Sequence, residues 1–179
     1  MAKPRALPCL LVVEDEPAVR DLIVAFLKRG GHQKIVTAGN AEEALFYIFK
    51  DAGLDIKLAV VDLVLPNASG LALIRRIRNA KSPVRKALPV VVLTGRTDTD
   101  TYKAAARRGI QGYLMKPISP DLLVETVNKV LSARGIVAPA PLKRPSAPAA
   151  GETRDKNDPA PVAPPPSLDD NTTSDAKNE

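Results

Sequence analysis

Three carboxylates, one hydroxyl and one ammonium fall directly after short apolar runs in this 179-residue chain. Glu14 and Asp15 follow residues 9–13, Asp62 follows 58–61, Thr94 follows 90–93 and Lys116 follows 113–115. If these runs are parallel strands of one sheet, their C-terminal ends share a single edge, the edge at which open α/β sheets bind ligands. Carboxylates crowded there repel each other and need a counter-charge. A hard divalent cation such as Mg²⁺ supplies it through oxygen ligands and leaves positions for water and a phosphoryl oxygen. Carboxylate, cation, hydroxyl and lysine together make a phosphoryl site. A carboxylate attacks as nucleophile, while the metal and the lysine neutralise charge on the transferred group. Taken singly, an Asp or Thr after a strand is a turn or cap residue, and a Lys before Pro is an exposed side chain. Their joint placement at four of five strand ends is what points to chemistry.

The elements that must hold these residues are legible from periodicity. The first run ends in Glu14-Asp15-Glu16, and Pro17 suits the first turn of a helix. Val19, Leu22, Ile23, Phe26 and Leu27 then recur at helical spacing until Gly30-Gly31. Residues 34–37 make a short strand. Asn40 caps a helix with Glu43 three residues on and Ala44, Leu45, Ile48 and Phe49 as its apolar stripe. After the run at 58–61, Ser69-Gly70 opens a helix with Leu71, Ile74 and Ile77 on one face. After 90–93, Asp98 or Asp100 begins a helix that Gly109 stops. After 113–115, Ser119-Pro120 caps a last helix with Leu122, Leu123, Val127, Val130 and Leu131 inward. Five strand–helix units with continuously apolar strands predict an α/β fold: a flavodoxin-like, five-stranded parallel sheet covered on both faces.

Composition separates this region from the C-terminal remainder of the chain. Residues 1–134 carry 21 Lys and Arg against 13 Asp and Glu, while residues 135–179 carry 5 against 7. The later segment holds nine of the 17 prolines, few apolar residues beyond Ala and Val, and no periodicity, so it is expected to be a disordered Pro/Ala-rich tail. The domain is expected to span 7–134 and the tail 135–179. The basic surplus is read as a solvated surface rather than a nucleic-acid site, because no basic run is interleaved with aromatics. Residues 75–86 are basic and longer than a minimal connection; they are either a solvated helix face or a docking surface for an acidic partner. Cys9, the one cysteine, excludes an internal disulfide and is expected to be buried. His32, after two glycines, is expected in an exposed loop. No apolar run reaches the ~18 residues of a membrane span, and the N-terminus lacks a signal-peptide pattern. The expected location is cytoplasmic.

The segments Val12-Val13-Glu14-Asp15-Glu16-Pro17, Asp62 through Gly70, Leu93-Thr94-Gly95 and Tyr113-Leu114-Met115-Lys116-Pro117 resemble the response-regulator receiver family over residues 7–134, in its order and spacing. The resemblance implies that Asp62 is the phosphorylated aspartate. It implies that Asp15 is a direct Mg²⁺ ligand, that Glu14 acts through metal-bound water, and that the backbone carbonyl of Val64 is a third protein ligand. Thr94 matches the hydroxyl that turns toward the phosphoryl group, Lys116 the lysine that pairs with it, and Tyr113 the aromatic switch that rotates inward as Thr94 moves. The Lys116–Pro117 peptide is expected to be cis. Two positions depart from common family choices: Val64, two after Asp62, has no polar side chain, and Arg96, two after Thr94, places a cation near the site mouth.

The function this implies is a stand-alone two-component response regulator, phosphorylated by a histidine kinase or histidine phosphotransfer protein and signalling by a protein-binding surface to an unnamed target. Residues 135–179 leave no room for a helix-turn-helix, so no DNA binding is expected. Catalysis is confined to its own phosphorylation and dephosphorylation. A haloacid-dehalogenase-type phosphatase wants Asp two residues after its nucleophile, where this chain has Val64. The remaining alternative is a phosphorylation-independent adaptor domain.

Overall fold

The structure, a computed structural model, describes residues 7–139 apart from Ala52 and Thr97. Five strands run β1 (Cys9–Val13), β2 (Ile35–Ala38), β3 (Ile56–Asp62), β4 (Val90–Thr94) and β5 (Gly112–Met115). Six helices lie between and after them: α1 (Pro17–Arg29), α2 (Ala41–Phe49), α3 (Gly70–Arg78), α4 (Pro83–Lys86), α5 (Thr99–Ala106) and α6 (Pro120–Ser132). All strand pairs are parallel, in the order β2-β1-β3-β4-β5. This is the flavodoxin-like sheet that the apolar runs predict. The part of the expected tail from residue 140 onward lies outside the described residues.

The continuous apolar strands are explained by burial on both faces. Successive side chains alternate across the sheet. Leu11, Val13, Ala59, Val61, Val90 and Val92 face one core with Ala44 and Ile48 of α2 and Leu73, Ile74 and Ile77 of α3. Leu10, Val12, Leu58, Val60, Val91 and Leu93 face the other with Ile23 and Leu27 of α1 and Leu123, Val127 and Leu131 of α6. A one-residue slip would exchange the two sets, so the register that aligns the strand ends is strongly specified. Among the described residues, no helix is long and apolar enough to cross a membrane.

Helix starts follow local chemistry. Asn40 Oδ1 accepts the Glu43 N–H at 2.8 Å, and the Glu43 carboxylate takes the Gly39 N–H at 2.8 Å. Ser69, Asp98 and Ser119 cap α3, α5 and α6 through their side-chain oxygens, which settles Asp98 over Asp100. Pro17 and Pro120 sit in the first turns of α1 and α6, where their missing N–H has no helical acceptor to lose. The short α4 was not expected. It carries no apolar stripe, and it breaks up the basic connection between α3 and β4.

His32 is a correction. It is 1% exposed rather than in an open loop. Its Nε2 lies 2.9 Å from Asn128 Oδ1 on α6. Burial holds its pKa below the ordinary 6.5, against the opposing pull of the Asn128 bond, so the neutral ring is the native form. Arg78 is another residue whose role differs from expectation. Its guanidinium donates to the carbonyls of Arg108 (2.9 Å), Lys86 (3.1 Å), Leu88 (2.7 Å) and Gly109 (2.8 Å). It thereby caps the C-terminal ends of α4 and α5 instead of joining a solvated face. Cys9 is buried, as expected.

Candidate functional site

The strand order reverses between β1 and β3, and the crevice at such a switch point is where an open sheet takes its ligands. Glu14 and Asp15 leave β1 there, and Asp62 is the last residue of β3. Oxygen atoms from these three carboxylates all lie within 4.8 Å of one another. Glu14 and Asp62 are buried, and Asp15 is exposed. Lys116, after β5, reaches back over β4 to this cluster. Its Nζ is 2.7 Å from Glu14 Oε2 and 2.6 Å from Asp62 Oδ2. The other Asp62 oxygen, Oδ1, accepts the Val64 N–H at 2.9 Å.

The electrostatics are those of a crowded, half-dry pocket. Burial pushes the Glu14 carboxyl up against the lowering influence of Lys116, with Asp62 and Asp15 adding to the rise. Burial works against the Lys116 ammonium, but its hydrogen bonds and charge attraction to Asp62 and Glu14 win and raise its pKa. At neutral pH the lysine is firmly charged and is the counter-ion of the cluster. The donor set also fits a hard divalent cation: three carboxylates, all oxygen, one of them open to water. Glu14, Asp15 and Asp62 are the residues that could hold it.

Thr94 ends β4 and is fully buried. Its Oγ1 accepts the Arg96 N–H at 3.1 Å. The Lys116 N–H donates to the Thr94 carbonyl at 2.9 Å, tying the ends of β4 and β5 together. Tyr113 is half-buried on β5. Its hydroxyl donates to the Arg96 carbonyl at 3.1 Å, and its ring meets Tyr102 of α5 edge-on with centroids 5.2 Å apart. Arg96 is therefore bonded through its backbone to both Thr94 and Tyr113. The Lys116–Pro117 peptide is cis. Val64 presents its side chain to solvent.

Two residues that position the site were not singled out from the sequence. Arg20, in the first turns of α1, donates to the carbonyls of Glu14 (2.9 Å) and Asp15 (3.3 Å) and so holds the acidic loop in shape. Its helical spacing from Glu16 was visible, but its backbone partners were not. Gly70 opens α3 against the end of β3. A Cβ there would collide with the backbone of Asp62 and Leu63, and the Gly70 N–H bonds the Leu63 carbonyl at 3.0 Å. Glycine at this place permits a close approach that no side chain allows.

Comparison with known proteins agrees with this geometry. The family model described as "Response regulator receiver domain" matches residues 10–128. The transcriptional regulatory protein AruR of Pseudomonas aeruginosa is 32% identical over 139 residues, covering 74% of this chain and 54% of AruR. The chain thus spans about half the length of that relative. A chemotaxis protein CheY homolog of Campylobacter jejuni is 30% identical over 68% of this chain and 91% of its own length. Among solved structures, a response regulator receiver protein from Pseudomonas putida superposes with a TM-score of 0.63 at 36% identity, covering 70% of this chain and 98% of that one. On the match of that family model over residues 10–128, this protein belongs to the response regulator receiver domain family of two-component signalling.

Proposed function

We propose that the domain, residues 7–134, receives a phosphoryl group on Asp62. The donor is a phosphohistidine on a histidine kinase or histidine phosphotransfer protein: the P–N bond breaks and a P–O bond to an Asp62 oxygen forms. Glu14, Asp15, Asp62 and the Val64 carbonyl would hold Mg²⁺, which when bound would offset charge on the transferred oxygens. Lys116 stands against Asp62 and offsets charge from the other side. The new dianion draws the Thr94 hydroxyl, and Tyr113 follows into the space released. The surface built by α5, β5 and α6 then changes its affinity for a target protein. The domain turns over no other substrate, and it works in the cytoplasm, where such donors are charged.

The observation that carries this reading is the environment of Asp62. One of its oxygens is on an ammonium, the other is on a backbone N–H, and two further carboxylates stand within 4.8 Å. Incubating the full-length chain with Mg²⁺ and acetyl phosphate, with intact-mass detection, tests it. We expect the mass of one phosphoryl group to be added, absent in Asp62→Asn and suppressed by EDTA. Labelling that persists in Asp62→Asn would refute the assignment. An unlabelled wild type would favour the phosphorylation-independent adaptor.

A further inference from the structure

The end of the sheet opposite the carboxylates carries a groove of mixed apolar and polar lining that the proposed phosphoryl chemistry does not use. It has a volume of about 350 Å³ and lies between the end of α2, the start of β3 and the segment around α4. Ile48, Leu54, Ile56, Val84 and Leu88 form its apolar walls. Ile56 opens β3 and Leu88 precedes β4, so the groove sits at the N-terminal edge of the strands. Val84 is 80% exposed at its lip.

The charge around the groove is one-sided. From Leu63 to Arg96 the chain has no acidic residue and seven basic ones. Arg78 is engaged internally. Lys81, Arg85 and Lys86 form no ion pair among the described residues. Arg85 lines the groove, with its guanidinium 5.9 Å from the Phe49 ring centroid. The carboxylate that also lines it, Asp55, is neutralised by Lys57 at 2.7 Å.

We propose that this groove docks an acidic, amphipathic segment of a partner protein. Apolar side chains of the segment seat against Val84 and Leu54, and its carboxylates meet Arg85, Lys81 and Lys86. A nucleic acid would satisfy the cations but leave the apolar walls unfilled, and the rim offers no ladder of aromatics on which bases could stack. Because the groove and the Asp62 edge lie at opposite ends of the strands, an occupant leaves Asp62 open to its donor. Docking there does not depend on phosphorylation.

Selecting binders from a random peptide library displayed on phage, with the full-length chain as bait, tests the proposal. We expect enrichment of peptides that flank Leu, Ile or Phe with Asp and Glu. Their affinity should fall at least about tenfold for Val84→Asp and for Arg85→Glu. Asp62→Asn should bind as wild type does, and amide shifts on binding should cluster at residues 48–56 and 82–88. The melting temperature of each variant confirms that it is folded. A library that yields no binder, enriched peptides that are neutral or basic, binding indifferent to Val84→Asp, or displacement by an unrelated DNA duplex would each overturn it.

Discussion

Lys116 and Asp62 are 54 positions apart in sequence and 2.6 Å apart at Nζ and Oδ2. The contact closes the crevice from the β5 side while Glu14 meets the same ammonium at 2.7 Å. One cation therefore serves two buried carboxylates, and it would have to be displaced or shared if the proposed divalent metal enters.

Lys116→Gln should expose that dependence. Removing the ammonium leaves two buried carboxylates uncompensated. One-sided breakage of a buried pair costs about 3–5 kcal/mol, and the partial exposure of the lysine reduces this to about 2 kcal/mol. Urea unfolding in EDTA should show the loss, and added Mg²⁺ should restore most of it. Labelling by acetyl phosphate should slow about 100-fold. A variant as stable as wild type in EDTA would mean that the ion pair is not formed in solution.

Val64→Asn probes the departure two residues past the proposed acceptor, Asp62. Val64 is 55% exposed, so the change should move stability by less than about 0.5 kcal/mol. We hypothesise that an amide there orients an attacking water, which the valine cannot do. Dephosphorylation followed after removal of the donor should be several-fold faster in the variant. An unchanged rate would remove position 64 from the account of phosphoryl lifetime.

His32 should give the domain an acid-sensitive stability. Its folded pKa lies below the ordinary 6.5 because the ring is buried. Below 6.5 the unfolded chain takes up a proton that the native state refuses, so stability is lost as pH falls from 6.5 toward the folded value. The slope is no steeper than about 1.4 kcal/mol per pH unit. His32 is the only histidine in the chain, so urea midpoints between pH 7.5 and 5.5 should decline more in wild type than in His32→Asn. Equal declines in both would assign the effect to other groups.

Arg78→Ala removes four donors from the carbonyls of Lys86, Leu88, Arg108 and Gly109. Charged hydrogen bonds contribute about 1.5–3 kcal/mol each when dry, and less at this partly open site. A total loss of about 3 kcal/mol is expected, read as a lower denaturant midpoint at constant m. Arg78→Lys should recover little, because an ammonium cannot reproduce the planar fork. Full rescue by lysine would reduce the clamp to a simple positive charge.

These residues also show where sequence stops being informative. The strand ends that carry Glu14, Asp62, Thr94 and Lys116 were legible because burial on both faces writes each strand as an unbroken apolar run, and the polar residue after it marks the edge. Asn40 and Ser69 were legible because capping is local. His32 was misread because its partner, Asn128, is 96 positions away and no local pattern reports such a pairing. Arg78 sits among five other basic residues of the same segment and is set apart only by carbonyls delivered from two other elements. The one-turn α4 has neither the length nor the stripe that makes a helix visible.

Gly70 has a mechanical consequence. Because the first turn of α3 lies directly on the peptide of Asp62, that residue is clamped from beneath, and under the proposed phosphorylation its backbone would have nowhere to recoil. Any displacement produced by that proposed event would be taken up across the crevice, where Thr94 and Tyr113 are both tethered to the exposed residue Arg96. The fold thus separates an anvil from a lever. A bulkier residue at position 70 would loosen the anvil and is expected to blunt the proposed response, even with Glu14, Asp15, Asp62, Thr94 and Lys116 intact.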